Sequence, residues 1–261
     1  MRKRVLLRAL ALALVPFATG AAWAESATIA VAANFTAPVE ALQKLFEGDG
    51  EHRLVITSGA TGQLYAQITN GAPFDLLLSA DREHVDMLVA AGLGDGNQHF
   101  TYAIGKLALW TRDVEKFEPL SLTALSRTDY RWLAIANPEL APYGVAAEQT
   151  LRKLGLWEPL QSRLVRGQSI AQTFAMAETR NADLAFVALS QVIAYGRPAA
   201  HFEVPPDLYE PIRQDAVLLK HGSGNAAAQA FLSFLRTSGA THVIEQFGYA
   251  TTAAQPTDSP R

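Results

Sequence analysis

Along this chain short apolar runs alternate with amphipathic stretches, and no Gly/Ser-rich linker breaks the alternation. A strand that leads into a helix and then into another strand returns as a parallel neighbour, with its helices covering both faces of the sheet. Thr28–Ala33, His52–Thr57 and Phe74–Ser79 read as strands. Val39, Leu42, Leu45 and Phe46 recur at helical spacing between the first two, Leu64 and Ile68 between the second and third, and Asp81–Ala91 reads as a helix stopped by Gly92.

The alternation then starts again. Arg131–Ala136, Arg163–Arg166 and Ala182–Ala188 read as strands, with helices over Pro142–Leu154, Ser169–Glu178 and Ser190–Tyr195. Asp215–Lys220 reads as a late strand and Asn225–Arg236 as a helix with Ala227, Phe231, Phe234 and Leu235 on one face. Two such sets without a linker imply two α/β lobes, each a mainly parallel sheet flanked by helices, joined by hinge strands. Gly105–Thr111 and Asp215–Lys220 are the candidate crossings. The first lobe is then discontinuous, residues 25–105 with 216–251, and the second is residues 106–215. Two crossings side by side make a hinge.

The N-terminus is expected to be removed. Arg2, Lys3, Arg4 and Arg8 form a positive head, Val5–Phe17 is apolar apart from Arg8, and Ala22-Trp23-Ala24 has the small-x-small form of a signal-peptidase site. The stretch is too short to span a bilayer, so residues 1–24 read as a secretory signal and the mature chain as a periplasmic protein with no membrane insertion. The polar end, residues 252–261 with Pro256 and Pro260, is expected to be disordered. Loss of the signal removes four basic residues and no acidic ones, so 18 Lys and Arg remain against 25 Asp and Glu and the formal charge moves from −3 to −7. That balance argues against nucleic acid. The chain has no cysteine, which excludes disulfides, thiolate metal sites, a cysteine nucleophile and a lipidated N-terminal cysteine.

The turns that lead out of the strands are the most informative segments. Asn34-Phe35-Thr36, Ser58-Gly59-Ala60-Thr61-Gly62-Gln63, Asn137-Pro138 with Pro142-Tyr143-Gly144, and Gly167-Gln168-Ser169-Ile170 all lie between a strand and a helix. In open α/β sheets such turns gather at the carboxyl ends of the strands, where ligands bind. Helix starts offer unpaired N–H groups and the positive end of the helix dipole. Four such turns, two from each lobe, can surround one anion with neutral donors. None carries a lysine or a carboxylate, and only Arg166 comes near. Neutral donors suit a fully ionised anion, whereas a carboxylate would select one that carries a proton. Singly, each turn is the ordinary composition of a helix cap, and Ser169 with Gln172 makes a capping box. Only the set points to a site.

At these residues the sequence resembles the periplasmic molybdate-binding proteins, the receptors of ABC uptake systems. The resemblance runs through Val31-Ala32-Ala33-Asn34-Phe35, residues 57–68, the specific run Gly71-Ala72-Pro73-Phe74-Asp75-Leu76-Leu77-Leu78-Ser79-Ala80-Asp81, residues 133–138, Pro142-Tyr143-Gly144, residues 182–190 and Gln246-Phe247-Gly248-Tyr249. It implies a two-lobed periplasmic binding-protein fold, no enzymatic activity, no cofactor, and a monomer that delivers molybdate or tungstate to a membrane-embedded ABC permease. It further implies that Asn34 gives its backbone N–H and side chain, Thr61 its N–H and hydroxyl, and Tyr143 and Ile170 a backbone N–H each, with Gly62 as a further candidate. These residues would hold the metal as its oxyanion, not as a bare cation. Asn34 together with Ala188 resembles the branch of the family that lacks a tyrosine donor at the latter position.

A sulfate receptor of the same fold is the nearest alternative, since sulfate has the same charge and shape and is smaller. An enzyme is a weaker one. Gly167-Gln168-Ser169-Ile170-Ala171 lacks the last glycine of a nucleophile elbow, Gly222-Ser223-Gly224 lacks the third glycine of a dinucleotide fingerprint, and the six histidines form no pair at metal-binding spacing. A ferric-ion receptor would need tyrosines and carboxylates, and the four turns offer only Tyr143.

Overall fold

A computed structural model describes residues 25–48, 50 and 52–251, so the expected signal segment and C-terminal tail lie outside the described residues. The chain runs β1 (Glu25–Ala32), α1 (Thr36–Gly48), β2 (His52–Gly59), α2 (Thr61–Thr69), β3 (Leu76–Leu78), α3 (Glu83–Ala90) and β4 (Gly94–Gly105). It continues through β5 (Leu107–Thr111), α4 (Val114–Phe117), β6 (Leu133–Ala136), α5 (Pro142–Lys153), α6 (Trp157–Leu160), β7 (Leu164–Gly167), α7 (Ile170–Glu178), β8 (Leu184–Ala188), α8 (Leu189–Tyr195) and β9 (Ala200–Glu203). It closes with β10 (Ile212–Leu219), α9 (Ala226–Phe234) and α10 (Ser238–Gln246).

The strands form two five-stranded sheets, ordered β2-β1-β3-β10-β4 and β7-β6-β8-β5-β9. This is the expected two-lobed α/β architecture. In each sheet three successive strands pair in parallel, and the fourth position is antiparallel: β10 against β3 and β4, β5 against β8 and β9. Those two antiparallel strands are the ones by which the chain enters each sheet from the other. They begin side by side, because Ile212 at the start of β10 pairs with Gly105 at the end of β4, one residue before Lys106 leads into β5. β10 joins the first sheet from Ile212 onward, so the return passage lies before that residue.

Burial explains why these segments became strands and helices. All residues of β3 and β8 are buried, as expected for parallel strands covered on both faces. On α1, Val39 and Leu42 are buried and Phe46 packs edge-on against Phe231 of α9 at 5.2 Å, while Leu45 lies off that stripe and is exposed. Five elements have no counterpart in the sequence reading, two of them the four-residue helices α4 and α6. β4 begins with the polar, glycine-rich run Gly94-Asp95-Gly96-Asn97-Gln98-His99 and pairs only with β10; β9 is a four-residue edge strand of alternating exposure. Edge strands carry little of the apolar signal that marks a central one. The remaining one is α10, which buries only Ala240 and Ile244. A register shift in the β4–β10 pair leaves Tyr102 as an extra residue between Thr101 and Ala103 opposite Asp215 and Gln214, a bulge that re-aims side chains beside the cleft.

Phe231 is fully buried in the first lobe's core. Phe231→Ala should lower unfolding free energy by about 3–5 kcal/mol, read as a fall in the urea midpoint.

Candidate functional site

The carboxyl ends of the central strands of the two sheets face each other across the cleft. Asn34 lies in a 3₁₀ turn directly after β1, and Thr61 opens α2 after β2. From the other lobe, Tyr143 is the second residue of α5 after β6, and Ile170 opens α7 after β7. All four are buried, and all four line one cavity together with Ala32, Ala33, Gly59, Ala60, Ala80, Ala141 and Pro142. No residue of the lining carries a charge. The cavity is small, far smaller than the cleft beside it, which excludes a sugar or a peptide.

The N–H groups of Thr61, Tyr143 and Ile170 stand in the first turns of α2, α5 and α7, where a helix offers no acceptor of its own. The dipoles of these helices add positive potential at the same point. The Thr61 hydroxyl oxygen accepts the N–H of Ala80 at 3.1 Å, which leaves its own proton to donate. Ser169 and Gln172 do cap α7: the Ser169 hydroxyl accepts the Gln172 N–H at 3.2 Å, and the Gln172 side chain accepts the N–H of Gln168 at 2.6 Å. The Ser169 hydroxyl therefore serves the helix start.

Two donors differ from the expectation. The N–H of Gly62 is given to the Leu140 carbonyl of the other lobe at 3.0 Å. Glycine suits the position, because a Cβ would stand 3.2 Å from that same oxygen, closer than an ordinary contact. The Asn34 side-chain amide donates to Gln214 Oε1 at 2.8 Å and to Tyr249 Oη at 2.9 Å, which commits both of its protons. Only the backbone N–H of Asn34 remains as a donor toward the cavity.

Asn34 is thereby tied into a buried polar cluster that the sequence reading missed. Its carbonyl accepts the hydroxyls of Ser190 at 2.8 Å and Tyr249 at 2.9 Å, while Tyr249 Oη also lies 3.0 Å from Ser190 Oγ. Gln214 Oε1 accepts from Tyr102 at 3.1 Å, and Gln214 Nε2 donates to Tyr143 Oη at 3.3 Å. These partners lie up to 215 residues apart, beyond the reach of any local spacing. Burial pushes the Tyr102 and Tyr143 hydroxyls well above the usual tyrosine range. It pushes Tyr249 up to about 12, with hydrogen bonds from Ser190 and Asn34 holding it back from rising further. The cluster behind the cavity is therefore neutral as well.

A larger cleft of about 540 Å³ lies beside the cavity and shares Ala80, Ala141 and Pro142 with it. Its walls carry Asp81, Glu83, Glu139 and Glu210 against Arg82 and Arg213, a mixed field in which carboxylates repel an anion. Among the described residues no group of three or more His, Asp or Glu side chains is placed to hold a metal cation, and no helix is long and apolar enough to cross a membrane.

The family described as bacterial extracellular solute-binding protein matches residues 27–250. The molybdate-binding protein ModA of Azotobacter vinelandii is 46% identical over 231 residues, which span 88% of this chain and 91% of that protein. The molybdate-binding protein ModA of Rhodobacter capsulatus is 45% identical over 243 residues, 93% of this chain and 95% of that one. Among solved structures, the Azotobacter vinelandii periplasmic molybdate-binding protein matches with a TM-score of 0.80 at 37% identity, covering 86% of this chain and 98% of that chain.

The neutral tyrosine cluster makes a pH prediction. Tyr249 has its folded pKa raised from 10.0 to about 12, so the stability it contributes is complete below pH 10 and lost as pH rises from 10 to about 12. Urea unfolding at stepped pH should show a fall in that window, and Tyr249→Phe should make the fall shallower.

Proposed function

Since the chain belongs to the bacterial extracellular solute-binding protein family, we propose that it is a periplasmic receptor for molybdate, taken as the unprotonated tetrahedral oxyanion and passed to an ABC permease. The observation that carries this reading is the small uncharged cavity on which helix starts from both lobes converge. Identities of 45–46% to proteins named as molybdate-binding support the choice of ligand. Tungstate, of like shape and charge, is the expected second ligand.

In this reading the backbone N–H groups of Asn34, Thr61, Tyr143 and Ile170, with the Thr61 hydroxyl, surround the oxyanion. Hydrogen bonds to a charged group contribute roughly 1.5–3 kcal/mol net each, so several are needed to offset its lost hydration. The absence of any carboxylate from the lining leaves no charged acceptor for a protonated oxyanion. Residues 25–105 with 212–251 move as one lobe against residues 106–211, bending where Gly105 and Ile212 run side by side. The anion docks on the open form, closure completes the donor shell, and the closed form is what the permease recognises. Residues 1–24 direct export and are removed.

Calorimetric titration of residues 25–261 with molybdate should give one-to-one binding that persists in excess sulfate. Displacement of molybdate by sulfate would move the function to sulfate uptake, and no heat with either anion would refute an oxyanion receptor. Thr61→Ala should weaken molybdate binding about 10- to 100-fold, while Thr61→Ser, which keeps the hydroxyl, should stay near wild type. Asn34→Ala should also weaken it, through the loss of the Gln214 and Tyr249 contacts that fix the turn.

A further inference from the structure

The polar cluster behind the cavity is divided between the lobes. Asn34, Tyr102 and Gln214 belong to β1, β4 and β10 of the first sheet or the turn after it, whereas Tyr143 and Ser190 belong to α5 and α8 of the second lobe. Tyr249 belongs to the first lobe: it stacks edge-on with Phe35 at 5.4 Å, and the next residue, Ala250, bridges Ile104 of β4. Its hydroxyl nevertheless reaches Ser190 Oγ across the boundary at 3.0 Å. The approach depends on Gly248, which has φ of +82° and no side chain to collide with Leu189 and Ile193 of α8. The same hydroxyl donates to the carbonyl of Asn34 and accepts from its amide. One atom thus touches Asn34, a proposed ligand residue of the first lobe, and Ser190 of the second, which itself donates to Asn34.

We propose that Tyr249 is a positioning residue: its hydroxyl links Asn34 in the first lobe to Ser190 in the second only when the lobes are closed, and so sets how long the anion stays bound. The inference rests on the oxyanion reading of the cavity. Separation of the lobes breaks the Tyr249–Ser190, Ser190–Asn34 and Gln214–Tyr143 bonds together. The open form, which captures the anion, has none of them. Removing the hydroxyl therefore raises the rate of opening and leaves the rate of capture unchanged. Tyr102 supplies the contrast. It is as deeply buried, but its hydroxyl reaches only Ser79 O and Gln214 Oε1, both in its own lobe.

Stopped-flow fluorescence with sodium molybdate tests this on residues 25–261. Tyr249→Phe should speed dissociation roughly five- to tenfold with association unchanged. Ser190→Ala should do the same independently, and the double variant should show less than the product of the two effects. Tyr102→Phe should leave both rates at wild type. Equal acceleration in Tyr249→Phe and Tyr102→Phe would reduce Tyr249 to a structural hydroxyl, and unchanged dissociation in both Tyr249→Phe and Ser190→Ala would overturn the latch. If the wild type binds no molybdate, the ligand reading fails and the latch is read without ligand. Asn97→Cys and Glu158→Cys place one spin label on each lobe of a chain that has no other cysteine. Tyr249→Phe must then lower the population at the closed distance and Tyr102→Phe must not; identical distance distributions in wild type and Tyr249→Phe overturn the proposal.

Discussion

Taking a fully ionised oxyanion out of water costs more than any single hydrogen bond returns, and under the proposed function the features around the cavity fit that imbalance. Several donors must arrive at one point without a competing charge. Two α/β sheets set with their strand carboxyl ends facing each other meet the requirement, because each parallel strand that leads into a helix delivers a helix start to the same place. Thr61, Tyr143 and Ile170 occupy those starts. The small residues between them, such as Ala60, Ala80 and Ala141, keep the space narrow enough for one compact group.

The same imbalance accounts for the region behind the cavity. A charged side chain there would change the field at a bound anion; Asn34, Gln214, Tyr143, Ser190 and Tyr249 instead join the lobes with neutral groups whose protons are largely committed to one another. Buried polar networks of this kind are specific because a partner left unpaired is costly. Gly62, which admits the Leu140 carbonyl, and Gly105, where a Cβ would overlap the Tyr143 hydroxyl, keep the two lobes close enough for the network to form.

Much of this was legible in the sequence, and the boundary has physical causes. The central strands and their helices announce themselves through continuous apolar runs and helical spacing, the strand-to-helix turns marked the four segments, and the family resemblance picked Asn34, Thr61, Tyr143 and Ile170 out of them. The edge strands β4 and β9 were invisible because one is polar and glycine-rich at its start and the other only four residues long. The direction of the Asn34 amide could not be read, since it depends on Gln214 and Tyr249, 180 and 215 residues away. Gly62 looked like a donor to the cavity because it comes directly after Thr61 at a helix start, but its N–H meets a carbonyl of the opposite lobe. Tyr249 lies in a segment that carried the family resemblance, yet nothing local to Gln246-Phe247-Gly248-Tyr249 reveals that its hydroxyl crosses between lobes.

The central claim is that an anion sits among helix starts from both lobes and meets only neutral donors. A crystal structure of the mature chain grown with molybdate, with diffraction recorded at the molybdenum absorption edge, tests it most directly. The account predicts a single anomalous peak in the cavity, with oxygens at hydrogen-bonding distance from the N–H groups of Asn34, Thr61, Tyr143 and Ile170. A peak in the larger cleft beside Arg82 and Arg213, or none between the lobes, would contradict it.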